Sequence, residues 1–364
     1  MRSPDPFAFM HWAKAREDAP YRLGGSGAPA PPEAETKDLL ALDAAASFGS
    51  EGDRYGFPAL RRAIASFHDV SEDSVLVSDG TSLANYTALT ALVGPGDRAL
   101  VETPTYGVLA QIPRFHGAVV DRIARRPEDR WVPQLDEIRR LLDAPGPPVR
   151  AIVLTRLHNP SGADLPAGFL EALAKLADER DFHVLLDEVY LDFVEARAGH
   201  AFSPRFLSTG SLTKAYGFGG LRVGWVIGHA KALRPLQELS FYLSVNASAP
   251  SEALAIRILA RRERFLEISR AVAARGRIIV EEWMAARSDV SWVPPAGGLV
   301  GFARLHRVSD TSAFADGLLQ RSGVSVAAGE HFGQPGWVRI GFGIDEAKLR
   351  EGLRRLGAAL DDTD

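Results

Sequence analysis

Between residues 55 and 230 short apolar runs alternate with stretches whose apolar residues recur at helical spacing. The runs are Val75-Leu76-Val77, Ala99-Leu100-Val101, Ala118-Val119-Val120, Ala151-Ile152-Val153-Leu154, His183-Val184-Leu185-Leu186 and the segment Arg222 to Ile227. Leu170, Leu173, Ala174 and Ala177 mark one helical stretch between two of them, and the segment Leu60 to Phe67 marks another before the first. Near-continuous apolar strands separated by amphipathic helices predict a mostly parallel sheet covered on both faces. Beyond Ala230 the pattern changes. Residues 251–286 read as one long helical segment, followed after Pro294-Pro295 by short strands at 298–303, 324–327 and 337–342 and a helix at 312–321. The expected fold is α/β: a three-layer large domain over 45–240 and a smaller α+β domain over 241–364. The N-terminal arm, 1–44, has no core of its own and is expected to join the smaller unit.

Composition narrows the chemistry. Hydrophobic residues make up 46% and charged residues 24% of the 364-residue chain, proportions that exclude a largely disordered protein. A net charge of −4 provides no global basic field, so neither nucleic acid nor a membrane surface is an expected partner. With no cysteine, disulfides, thiolate metal sites and a thiol nucleophile are excluded. The first residues lack a signal pattern and no run reaches the roughly 18 apolar residues of a membrane span, so a cytoplasmic location is expected. Lysine is scarce, at Lys14, Lys37, Lys175, Lys214, Lys231 and Lys348 among 42 basic residues.

In open α/β sheets ligands bind beyond the carboxyl ends of the strands, and those ends hold the unusual residues. After the first strand Gly80-Thr81-Ser82 opens a helix, offering free N–H groups to an anion; alone, the segment needs no more than an ordinary helix cap. Tyr106 follows the second strand, and Asn159 lies in an Asn-Pro-Ser-Gly turn. Asp187 ends an apolar run and is followed by Tyr190; it is either a buried carboxylate in want of a cation or another cap. Lys214 stands among small, apolar and hydroxyl residues, with Ser211 three before it and Arg222 eight after. Burial and a neighbouring cation lower a lysine's pKa, and a neutral amine is a nucleophile toward carbonyls.

In this order the motifs resemble the class I/II pyridoxal-phosphate (PLP) aminotransferases, with their aspartate-aminotransferase-like fold, PLP fold type I. The resemblance runs from Leu23 to Phe342: a Gly-x-x-x-Leu-Arg helix start at Gly56, the Gly-Thr-Ser turn, Pro104-x-Tyr106, Asn159-Pro-Ser-Gly, Asp187-x-x-Tyr190, Ser211-x-x-Lys214 with Arg222, and Val338-Arg339-Ile340. It implies that Lys214 holds PLP as an internal aldimine and acts as base and acid, with Asp187 facing the pyridine nitrogen. Asn159 and Tyr190 would bond the phenolic oxygen and Tyr106 would stack on the ring. Thr81, Ser82, Ser211 and Arg222 would hold the phosphate. Arg339 would pair with the substrate carboxylate, with the loop at Gly25 and Ser26 alongside and Asn159 close by.

The implied activity moves an amino group between an amino acid and a 2-oxo acid, in a homodimer. The same scaffold also supports a PLP-dependent lyase, a synthase or an amino-acid-modifying enzyme of secondary metabolism. A regulatory module would need an attached DNA-binding domain, for which nothing before Leu23 leaves room. A generic nucleotide-binding fold would need a Gly-x-Gly-x-x-Gly or Walker loop. One departure stands out. Many relatives place a tyrosine five residues before the glycine of the helix-start element, to reach the neighbouring subunit's phosphate; here that residue is Glu51, and Tyr55 is the nearest substitute.

Overall fold

The computed structural model describes residues 5–39 and 55–363. Its strands are β1 (Tyr21–Arg22), β2 (Val75–Ser78), β3 (Arg98–Thr103), β4 (Val119–Ala124), β5 (Val149–Thr155), β6 (His183–Asp187), β7 (Phe206–Ser211) and β8 (Gly224–Ile227), then β9 (Val290–Trp292), β10 (Val300–Leu305), β11 (Val324–Ser325), β12 (Ala327–Ala328) and β13 (Trp337–Gly341). Strands β2 to β8 form one sheet in the order β2-β8-β7-β6-β5-β3-β4. Only β8 runs antiparallel to its neighbours. All the other strands therefore end at one edge, and the loops leaving that edge are brought together.

Alternation along each strand makes the three layers. Leu185 and Val153 face one apolar cluster with Leu89 of the Thr81–Leu92 helix. Val184, Leu186 and Ile152 face the opposite cluster with Leu170 and Leu173 of the Ala167–Arg180 helix. That helix ends where Asp181 turns left-handed, φ 55°, with its N–H closing on Ala177 O. The parallel, doubly covered sheet expected from the apolar runs is thus observed.

The sequence pattern misses β7 altogether. Its residues Phe-Leu-Ser-Thr-Gly-Ser read as polar, yet all six are buried in the middle of the sheet. Their hydroxyls are satisfied locally: Ser208 Oγ accepts from His200 N at 2.9 Å, and Thr209 Oγ1 donates to Asn85 Oδ1 at 2.8 Å. Gly210 leaves room for Trp225, whose Nε1 would lie 2.6 Å from an added Cβ. The expected single helix over 251–286 is corrected to two, Ala249–Leu259 and Arg262–Ala285, broken at Ala260-Arg261.

Four of the remaining strands make an antiparallel sheet in the order β12-β13-β10-β9, which sets Arg339 of β13 opposite Phe302 and Ala327. The Arg262–Ala285 and Glu346–Asp361 helices supply core residues such as Val280, Leu349 and Leu353. Near the N-terminus, β1 pairs in parallel with β11, Tyr21 opposite Val324.

Candidate active site

Asp187 is the last residue of β6 and is 6% exposed. Asn85 Nδ2 donates to its Oδ2 at 2.7 Å and Val189 N donates to its Oδ1 at 3.2 Å. Burial raises the carboxyl above its ordinary pKa, while the Asn85 bond, the Val189 N–H and the charge of Lys214 oppose that rise. No arginine, lysine or histidine among the described residues forms an ion pair with it. A carboxylate so placed is matched by a ligand carrying its own cation.

Arg339, 1% exposed, donates from Nη1 to Asn159 Oδ1 at 2.8 Å and from Nη2 to Gly24 O at 2.9 Å. Because Arg339 occupies the carbonyl oxygen of the Asn159 amide, its Nδ2 donor is left to face elsewhere. The guanidinium lies against two adjoining rings, 5.2 Å from Phe9 and 5.0 Å from Phe332, whose own centroids are 5.6 Å apart, and its Nε is buried without a hydrogen-bond partner. Burial draws its pKa below the ordinary arginine value.

Lys214 Nζ donates to Ser26 Oγ at 2.9 Å, and Ala28 N donates to Lys214 O at 2.9 Å. The 24–28 loop thus touches Arg339 through Gly24 and Lys214 through Ser26 and Ala28. In this loop it is Gly24, not Gly25, whose carbonyl meets the arginine; Gly25 O packs against Gly341. A cleft of about 640 Å³ opens here, lined by Phe9, Trp12, Gly25, Ser26, Lys214 and Arg339 among others.

Tyr190 is 3% exposed and its hydroxyl is buried without a partner. Tyr106 packs edge-on against Phe7 and Phe9 at 5.2 and 6.0 Å. Burial pushes its hydroxyl up to about 12, helped by Asp187 and Tyr190 and opposed by Arg339 and by a hydrogen bond with Ser82. Those couplings set Tyr106, Tyr190, Asp187 and Arg339 around one locus.

At the start of the Thr81–Leu92 helix Thr81 Oγ1 is buried without a partner, whereas Ser82 is exposed. The Arg222 guanidinium covers this end: Nη2 donates to Asp79 O at 3.3 Å, and a Cβ on Gly80 would lie 2.3 Å from the same atom. Ser211 ends β7, buried, with Oγ accepting from Thr213 N at 3.2 Å. Helix N–H groups, hydroxyls and a guanidinium together make an anion cradle. Tyr55 stands apart, 5.9 Å from the Phe241 ring and beneath Arg61 at 5.8 Å; Glu51 lies outside the described residues.

Two groups of residues here escape the motifs. Asn85 and Thr209 hold Asp187, and a buried set of Glu102, Arg125, Thr155 and His158 lies behind Asn159. For Asn85 a signal existed: it is the one amide in its helix, set among Ala84, Ala88 and Leu89.

The family model for aminotransferase class I and II matches residues 23–356. An arginine–pyruvate transaminase of Pseudomonas aeruginosa is 32% identical over 83% of this chain and 80% of its own length. A capreomycidine synthase of Streptomyces vinaceus is 33% identical over 85% of this chain and 80% of its own. Among solved structures, a PLP-dependent aminotransferase from Streptococcus suis superposes with a TM-score of 0.91 at 27% identity, covering 100% of this chain and 99% of that one.

Proposed function

This chain belongs to the aminotransferase class I and II family, and from that premise we propose which of its residues carry out amino-group transfer between an amino acid and a 2-oxo acid. The enzyme is a PLP-dependent transferase of the aspartate-aminotransferase fold. Its own residues fit that cofactor. Asp187 is a buried carboxylate that no cation among the described residues pairs with, Tyr190 and Thr81 bring buried hydroxyls without partners among them, and the Gly80 turn leaves its space to Arg222. When bound, PLP supplies an aldehyde for the amino group and a protonated ring that takes up electron density as the Cα–H bond breaks.

In this reading Asp187 would keep the ring nitrogen protonated, and Asn85 holds that carboxylate in place. Asn159 Nδ2 and the Tyr190 hydroxyl would donate to the phenolic oxygen, and Tyr106 would pack on the ring. Thr81, Ser82, Ser211 and Arg222 bind the phosphate. Arg339 grips the substrate α-carboxylate with its fork, beside Gly25 and Ser26, and its aromatic bed shields it from water. The Lys214 amine would hold the cofactor and, once freed by the substrate's amine, would serve as the base and acid that moves the Cα proton.

One observation carries this: the single loop at 24–28 meets both the base, Lys214, and the carboxylate-binding Arg339. A Lys214→Ala variant tests it. Its visible absorbance with PLP and its 2-oxo acid production from amino donors, arginine among them, are both expected to vanish. Normal turnover by that variant would overturn the assignment.

The proposal extends to a cytoplasmic homodimer. Tyr242 is 88% and Val245 68% exposed beside a groove that Tyr55, Asp79 and Leu243 share, an apolar surface suited to a second copy. A monomer in sedimentation at micromolar concentration would count against it.

A further inference from the structure

We propose that Glu102 is a positioning residue of this site: one buried carboxylate holds Asn159 through Thr155, and the turn before Tyr106 through Thr105. This rests on the reading that Asn159 and Tyr106 face the cofactor and that Arg339 takes the carboxylate.

Glu102 lies near the end of β3 and is 0% exposed. Its Oε1 accepts from Thr155 N at 2.8 Å, Thr155 Oγ1 at 2.5 Å and Thr105 Oγ1 at 3.1 Å. Arg125 Nε lies 2.8 Å from Oε2, and Arg125 Nη2 donates to Thr155 O at 3.2 Å. Thr155 is thus held at its N–H, its hydroxyl and its carbonyl.

The hydroxyl is the informative link. Its proton is committed to Glu102, so its oxygen presents a lone pair, and Asn159 N donates to that oxygen at 3.1 Å. Asn159 in turn accepts from Arg339 at 2.8 Å. A continuous hydrogen-bonded path runs from the carboxylate behind the sheet edge to the arginine in front of it. A second tie closes the same two loops: His158 Nε2 meets Pro104 O at 2.9 Å, and its Nδ1 meets Ser161 Oγ at 2.6 Å. Burial, with the Arg125 charge, holds that ring neutral, so one nitrogen donates to the carbonyl and the other accepts from the hydroxyl.

Stability does not explain the arrangement well. A fully buried ion pair gains little over apolar residues of equal volume, because both charges must be stripped of water. What it does provide is direction. Both strand exits that carry ring-facing groups, β3 toward Tyr106 and β5 toward Asn159, are tied to the same oxygen, Glu102 Oε1.

Holoenzyme variants at Thr155 test the proposal, since Thr155 is buried and is not among the residues assigned to substrate or cofactor. Thr155→Val keeps the shape and removes the hydroxyl; Thr155→Ser keeps the hydroxyl. For Thr155→Val we expect KM for the amino donor to rise about ten-fold, the size of one lost buried hydrogen bond. The pH midpoint of the bound cofactor's visible absorbance should rise by roughly half a unit or more, because the amide donor to its phenolic oxygen is loosened. Thr155→Ser should restore both, and Glu102→Gln should move both as Thr155→Val does. A Thr155→Val enzyme that melts earlier with KM and midpoint unchanged would show a purely structural pair and overturn the proposal; so would failure of serine to rescue. Asn159→Ala separates the two levels. If it shifts the midpoint and Thr155→Val does not, the relay fails while the site stands; if it shifts neither KM nor midpoint, the site reading itself is wrong and the relay falls with it.

Discussion

Asn85 donates to Asp187 at 2.7 Å across 102 residues of sequence. The Thr209 hydroxyl, donating to Asn85 Oδ1 at 2.8 Å, turns the amide so that its NH2 group faces the carboxylate. The carboxylate is thereby aimed before any ligand arrives. Asn85→Ala is expected to weaken PLP binding about ten-fold, the loss of one charge-assisted hydrogen bond. Equilibrium titration of the apoenzyme measures it; an unchanged dissociation constant would remove Asn85 from the site.

Glu188, beside Asp187 in the chain, gives a pH prediction. Burial raises its carboxyl to about 7 from an ordinary 4.5, against the pull of Ser208, Arg156 and the Gly199 N–H, and Asp164 adds repulsion. The folded state therefore holds this proton more tightly than the unfolded chain. Its favourable contribution is complete below the ordinary value and is lost as pH rises through about 7. Glu188→Gln should gain on the parent between pH 4.5 and pH 8, by roughly 3 kcal/mol at most. Thermal melts at the two pH values check this; a gap that does not change with pH would refute it.

Sequence and structure part company at identifiable places. The strand exits were legible because one apolar run ends directly in Asp187 and two others are followed within five residues by Tyr106 and Asn159, and a parallel sheet puts such ends on one edge. β7 was illegible because Ser208 and Thr209 hide their polarity in hydrogen bonds that only the fold provides. Glu102 was visible beside Pro104 and Tyr106, yet its partners Arg125 and Thr155 lie 23 and 53 residues away, and spacing alone cannot pair them. The break at Ala260-Arg261 also carries no composition signal, since alanine and arginine both favour helix.

Arg339→Lys should raise KM for amino donors at least ten-fold. Lysine keeps the charge but cannot bond Asn159 and Gly24 with a planar fork while presenting a second edge to a carboxylate. Its ammonium would also lose the planar contact with the adjoining Phe9 and Phe332 rings. PLP affinity should stay within about two-fold, since this side chain is assigned to substrate; such a modest change is a small fraction of the 1.4 kcal/mol that a ten-fold effect represents. Steady-state kinetics with PLP titration separates the two, and a parallel loss of cofactor would move Arg339 to the cofactor's side.

Gly80→Ala tests the anion cradle from the backbone side. Gly80 has φ 83°, a region costly for alanine, and its Cβ would lie 2.3 Å from Arg222 Nη2. Backbone strain alone would lower the melting temperature and leave cofactor binding intact. Displacing the guanidinium does something else, because Arg222 supplies the one full charge that faces the Thr81–Leu92 helix start among the proposed phosphate ligands. PLP affinity should then fall ten-fold or more, while affinity for pyridoxal, which lacks the phosphate, changes little. Arg222→Lys should show a milder version of the same selectivity, because the charge survives and the fork does not. If Gly80→Ala weakens PLP and pyridoxal equally, the turn matters for folding of the loop and the phosphate assignment is wrong.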